Sequence, residues 1–219
     1  MSRRFILVTV VLLLGGAALS ACSFIPGMGG GGRLTYDGAV EHSVAVGQQV
    51  PGTSIQYVSW TDQGAQIMID DQLALKKPGD SLDWKGTVAP GVDVSMPQRI
   101  VLADASRIQT VGTVRVTVAA ANPQPAPFPG GGRYVYKIGA GHTVRTGEMI
   151  PGTTLTFLGR TDEGAQFGGM DGYPFRRIGD SVVWQGQLTG GVHVEMTYRV
   201  GAYTDDIVTV AGLGTIAVQ

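Results

Sequence analysis

The chain has 219 residues, with 16 basic against 17 acidic side chains, 34 glycines and a single cysteine. Lys and Arg are scattered, without the basic stripe or interleaved aromatics that a phosphate backbone calls for, which excludes nucleic acid as a partner. One cysteine excludes an intramolecular disulfide, a thiolate metal site and a redox pair. So much glycine, with charged residues at only 15%, suits turn-rich β structure better than helix, which glycine interrupts.

From the N-terminus, residues 1–21 combine Arg3 and Arg4, an apolar run from Phe5 to Leu14 and a region of small residues ending at Ala21. This is the pattern of a secretory signal peptide that is removed. The alternative is a single transmembrane helix, because Phe5 to Ala21 is close to the shortest span that crosses a bilayer. Residues 22–32 follow as a glycine-rich tether, Cys-Ser-Phe-Ile-Pro-Gly-Met-Gly-Gly-Gly-Gly, of the composition of a flexible coil.

Leu19-Ser20-Ala21-Cys22 resembles the lipobox of bacterial lipoproteins at all four positions. The resemblance implies that Cys22 is lipidated, becomes the mature N-terminus and holds the chain at a membrane of the cell envelope, outside the cytoplasm. Two or more acyl chains, at roughly 0.8 kcal/mol per buried methylene, suffice for stable attachment. Asp is absent just after Cys22, and in a host with two membranes the resemblance to lipoprotein sorting rules then implies the outer one.

The remainder is a duplication with an offset of 100 residues. Arg33 to Arg99 laid over Arg133 to Arg199 gives 24 identities in 67 positions without a gap. Pro51-Gly52-Thr53, Thr61-Asp62, Gly64-Ala65-Gln66, Gly79-Asp80-Ser81 and Trp84 all recur. We therefore expect two modules, residues 33–118 and 133–219, of about 85 residues each. Between them, residues 119–132 carry alternate prolines and then three glycines, which predicts a stiff extended spacer ending in a swivel.

Within each module short β-branched and aromatic runs alternate with turn signals: residues 54–60, 66–69 and 73–76 around a polar turn, 81–88, 92–94 and 111–118, with counterparts at 154–159, 181–188, 192–196 and 207–218. The second copy replaces the 66–76 hairpin with a looser, glycine-rich stretch. Strands at this spacing predict an all-β sandwich or barrel. Pro151 to Leu158, Gly179 to Val200 and the closing Ile-Val-Thr-Val-Ala strand resemble the Ig-like repeats of bacterial surface proteins, and the Thr87-Val88-Ala89-Pro90-Gly91 turn does so best. That resemblance covers about two-thirds of each module, departs at the opening strand and implies two tandem Ig-like β-sandwich modules, with no chemistry attached.

Asp62 and Asp162 stand in Thr-Asp-x-Gly, where a carboxylate accepts from turn amides, and Asp80 and Asp180 read the same way. Asp70, Asp71, Asp80 and Asp83 match no calcium loop. His42, His142 and His193 are too few for zinc without thiolates and are expected on strand surfaces or in turns. Trp84 and Trp184 are expected as core anchors. Trp60, matched by Arg160, is free to be an exposed stacking residue. Lys76-Lys77 and Arg176-Arg177 either grip an anionic partner or guard a strand edge. Tyr173 and Phe175 would suit a carbohydrate if both are exposed on one face.

Nucleophile elbows, zinc-protease helices and phosphate loops are missing, so neither enzymatic activity nor a cofactor is expected. The sequence thus points to a non-enzymatic lipoprotein presenting its two modules for protein interaction. The alternatives are a module binding carbohydrate or envelope polymer, and an accessory subunit of a membrane complex.

Overall fold

The computed structural model describes residues 32–219, so the expected signal peptide, Cys22 and all of the expected tether except Gly32 lie outside the described residues. Every regular element described is a strand, and the protein is all-β. The first copy opens with β1 (Gly32–Ala45), then β2 (Gln56–Thr61), β3 (Gly64–Ile69), β4 (Gln72–Lys76), β5 (Trp84–Ala89), β6 (Val92–Met96), β7 (Gln98–Ala103) and β8 (Arg107–Ala121). A short β9 (Gln124–Pro125) comes from the spacer. The second copy supplies β10 (Tyr134–Arg145), β11 (Thr156–Thr161), β12 (Gly164–Gly168), β13 (Phe175–Arg176), β14 (Ser181–Thr189), β15 (Val192–Tyr203) and β16 (Ile207–Val218).

Local chemistry sets these boundaries. Asp70 and Asp71 both have positive φ (48° and 64°) and close the β3–β4 hairpin in two residues, the turn geometry that matches strand twist. Pro97 separates β6 from β7, since it has no N–H to give to a ladder. Thr197 at the same place lets β15 run unbroken. The looser second hairpin is visible in β13, which pairs with β12 only at Arg176 and Phe175. Two strands lie outside the runs singled out in the sequence: the 14-residue β1, where the Ig-like resemblance departs, and β7.

Two small sheets, β2-β3-β4 and β11-β12-β13, accompany one ten-stranded sheet in the order β5-β6-β8-β1-β10-β16-β15-β14-β9, with β7 also on β8. The copies meet at β1 and β10, antiparallel, with Asp37 opposite Gly139. One residue further in that register, Gly38 faces Ile138, its own counterpart. A side chain on Gly38 would overlap the Lys137 carbonyl oxygen. Like therefore joins like, as in a two-fold dimer made within one chain. Tyr136 Oη donates to Gly52 O across the junction at 3.1 Å, and Tyr36 Oη is packed against Gly152 in return.

One core cluster consequently draws on both copies, running from Leu34, Tyr36, Val94 and Val116 to Tyr136, Trp184, Val194 and Ile216. The first copy adds a separate cluster under its small sheet, with Tyr57, Ile67, Leu82 and Ile108 at its centre. The spacer is bound along the second copy and does not hold the copies apart. Residues 119–121 complete β8, Asn122 N donates to Leu188 O at 2.7 Å, Ala126 N donates to Gln185 O at 3.3 Å, and β9 pairs with Gly186 and Gln187 of β14.

Candidate functional site

The small sheets bury one face and leave the other outward. In the first copy Tyr57, Ala65 and Ile67 point inward and are fully buried, so strand alternation turns Gln66 and Met68 out. Opposite them in register stand Leu75 and Leu73, which are 44% and 56% exposed. The second copy repeats the arrangement with other side chains. Phe175 pairs with the outward Gln166, and Tyr173, 60% exposed, packs edge-on against it with ring centroids 5.4 Å apart. Leu158 lies outward beside Gly168, where any added side chain would meet its Cδ1 at 3.4 Å. Both copies thus keep apolar groups at the same outward positions, 73/75 and 173/175. An open hollow of about 460 Å³, lined by Thr61, Asp62, Gln63, Gln66 and Leu75, adjoins the first of these faces.

The paired cations separate into two kinds. Arg176 is not free to grip a ligand, because its Nε donates to Ser181 O at 2.8 Å and its Nη1 donates to Tyr173 O and Phe175 O at 2.6 and 2.8 Å. It braces the loop that carries the aromatic pair. Lys76 is half-buried, while Lys77 and Arg177 are exposed. The carboxylates of Asp80 and Asp180 accept from the backbone N–H of Lys77 and Arg177 at 2.8 and 2.7 Å, the turn role anticipated for them. At Thr-Asp-x-Gly the turn is closed instead by the threonine: Thr61 Oγ1 donates to Gly64 O at 3.0 Å, and Thr161 repeats this at 3.1 Å. Trp60 is partly exposed at 39%.

Trp184 is buried as expected of a core anchor, whereas Trp84 is only half-buried; each indole N–H donates to a hydroxyl, Ser54 Oγ at 2.9 Å for Trp84 and Thr154 Oγ1 at 3.0 Å for Trp184. The histidines differ from expectation, being half-buried rather than on the surface. His42 Nδ1 lies 2.9 Å from Gln98 Oε1, which also accepts from Thr110 Oγ1 at 2.8 Å. In the second copy Tyr198 replaces Gln98 and sits edge-on to the His142 ring at 5.9 Å. Burial without a partner for Nε2 pushes His142 down to about 4. Among the described residues, no three His, Cys, Asp or Glu side chains converge on a point that a metal could occupy.

No family model, curated protein or solved structure matches this chain. A functional reading must therefore come from the residues themselves. The positions that reading the sequence passed over, Leu73, Leu75 and Leu158, are ordinary strand residues taken singly. Only the alignment of Leu73 and Leu75 with Tyr173 and Phe175 at an offset of 100, together with the exposure of all three leucines, marks them. Cys22 lies outside the described residues.

Proposed function

We propose that the chain is a bacterial cell-envelope lipoprotein without enzymatic activity, attached through lipid on Cys22, whose duplicated β modules bind protein partners. The observation that carries the interaction reading is the repeated apolar pair at outward positions 73/75 and 173/175. Solvent-facing strand positions ordinarily hold polar groups, and apolar residues kept there in both copies suit a contact surface. The lipobox, Leu19 to Cys22, supports the address. Turn signals and the inward tryptophans support modules of the Ig-like sandwich type.

A carbohydrate or envelope-polymer ligand is the second reading, and Tyr173 with Phe175 favours it. The 65° between their rings leaves no flat double platform, and Phe175 is half-buried, so the protein-partner reading is preferred. An accessory role in a membrane complex is a special case of it.

The test is expression with the native leader, followed by membrane fractionation and the mass of the mature N-terminus. A diacylated N-terminal Cys22 in the membrane fraction is the expected result, and Cys22→Ala should leave the protein uncleaved or unlipidated. Mature protein released without lipid would sink the anchor. Crosslinking in intact cells should give a defined adduct that Leu73→Ser/Leu75→Ser or Tyr173→Ser weakens. An adduct indifferent to all of them would remove these faces from consideration.

A further inference from the structure

The two outer edges of the large sheet are built from equivalent residues but end in unequal surroundings. On β14 the inward-facing Trp184, Gly186 and Leu188 are all buried, and β9 runs along the outer edge. The Gln124 carbonyl oxygen passes 2.5 Å from where a side chain on Gly186 would begin. On β5 the counterparts Trp84, Gly86 and Val88 are each only half-buried. Among the described residues, β5 pairs with β6 alone and its outer edge carries no strand. Half-covered apolar groups beside unpaired backbone donors and acceptors invite a further strand.

The duplication indicates which one. Gly30-Gly31-Gly32-Arg33 repeats Gly130-Gly131-Gly132-Arg133, so the sequence correspondence extends upstream of β1 into the tether. At the same offset, Phe24 and Ile25 stand in the places of Gln124 and Pro125. The number of residues between them and the shared glycines is the one that brings β9 onto β14, so the reach is sufficient. Ile25 would take the place of Pro125 opposite residue 86, on the face of half-exposed Trp84 and Val88, where an apolar side chain gives the cover they lack, while Phe24 would take the opposite face beside Thr87.

We propose that residues 22–27 pair with the free edge of β5, Phe24 opposite Thr87 and Ile25 opposite Gly86, as β9 pairs with β14. Pro26 replaces Ala126 and cannot make the bond that Ala126 N gives to residue 185, so this copy of the pairing has one donor fewer. Cys22 then falls beside Val88, at the end of β5. If Cys22 bears lipid, as proposed above, the lipid leaves the protein at that end, and the sheet has a fixed orientation at the membrane instead of swinging on a coil.

The pairing is tested without lipid, so that its failure is distinct from failure of the lipoprotein reading. The chain from residue 22 carrying Cys22→Ser is compared with the same chain carrying Phe24→Ser and Ile25→Ser, by residue-resolved amide hydrogen exchange. The Thr87 amide should exchange at least about tenfold faster in the substituted chain, because a paired edge opens only by local unfolding. The Gln187 amide, under β9, should be unchanged and reports that the fold is intact. Equal Thr87 rates in the two chains overturn the proposal. Thr87 protection that depends on protein concentration and survives the substitutions overturns it too, since a second copy would then be the strand on that edge.

Discussion

The two copies share a backbone and differ in how they fill it. Identity across the 100-residue offset falls on positions where the main chain is constrained: the Pro-Gly-Thr turns, Gly64/Gly164, Gly79-Asp80 with Gly179-Asp180, and Gly112/Gly212, the latter also identical beyond the aligned block, where a side chain would overlap the carbonyl oxygen of residue 97 or 197. Buried identities such as Tyr36/Tyr136, Val44/Val144, Val94/Val194 and Met96/Met196 add to these, and the rest of the interior diverges. The first copy holds a polar trio of His42, Gln98 and Thr110 where the second holds His142, Tyr198 and Val210. Its Trp84 is half-covered where Trp184 is 5% exposed. Turn and close-approach positions admit few residues, whereas a core accepts many combinations of similar volume.

The largest expected effect tests the inequality of cover. Trp184→Ala should cost about 4 kcal/mol, the usual cost of deleting a buried large aromatic. Trp84→Ala in the chain from Gly32 onward should cost about 2 kcal/mol, having less area to lose. Urea unfolding measures both, and equal costs would remove the contrast.

Acid comes next. The folded chain holds His142 at about 4 against an ordinary 6.5, so the unfolded chain binds the proton more readily. The contribution of His142 to stability is fully present above pH 6.5 and is lost as the pH falls from there toward 4, by roughly 3 kcal/mol in all. His142→Gln should flatten that part of the stability profile. A decline that persists unchanged would place the acid sensitivity elsewhere.

The junction of the copies gives a matched pair of smaller effects. Gly38→Ala forces a methyl against the Lys137 carbonyl and should cost about 2 kcal/mol. Gly139→Ala, whose nearest neighbour would be 3.9 Å away, should stay within about 0.5 kcal/mol. The smallest change in stability is expected for Leu73→Ser/Leu75→Ser, about 0.5 kcal/mol or less in thermal unfolding, because both side chains face solvent. A large loss would mean that these leucines hold the fold together and are not a contact surface.

Much of the β framework was legible because its signals are local. Pro51-Gly52 and Asp70-Asp71 mark turns on their own, and β16, β14 and β5 announce themselves by composition. β1 was obscured because Gly38, Ala39 and Glu41 interrupt the apolar alternation, and the reason for a glycine at 38 is a carbonyl on a strand a hundred residues away. The site was less legible still. Arg176 reads as a free cation until its three backbone acceptors are seen, and the Thr61 hydroxyl performs the turn closure expected of Asp62. The histidines look like surface residues until sheet packing half-covers them.

By itself the sequence determined the repeat, its offset, the β class and the turns, all of which depend on neighbours along the chain. Only the tertiary structure decided that the copies join edge to edge through β1 and β10, that the spacer lies down on β14, and that positions 73/75 and 173/175 face outward together. Those outcomes depend on which backbone donors and acceptors remain unpaired once each copy has folded. That balance is struck between residues remote in sequence, where no local pattern records it.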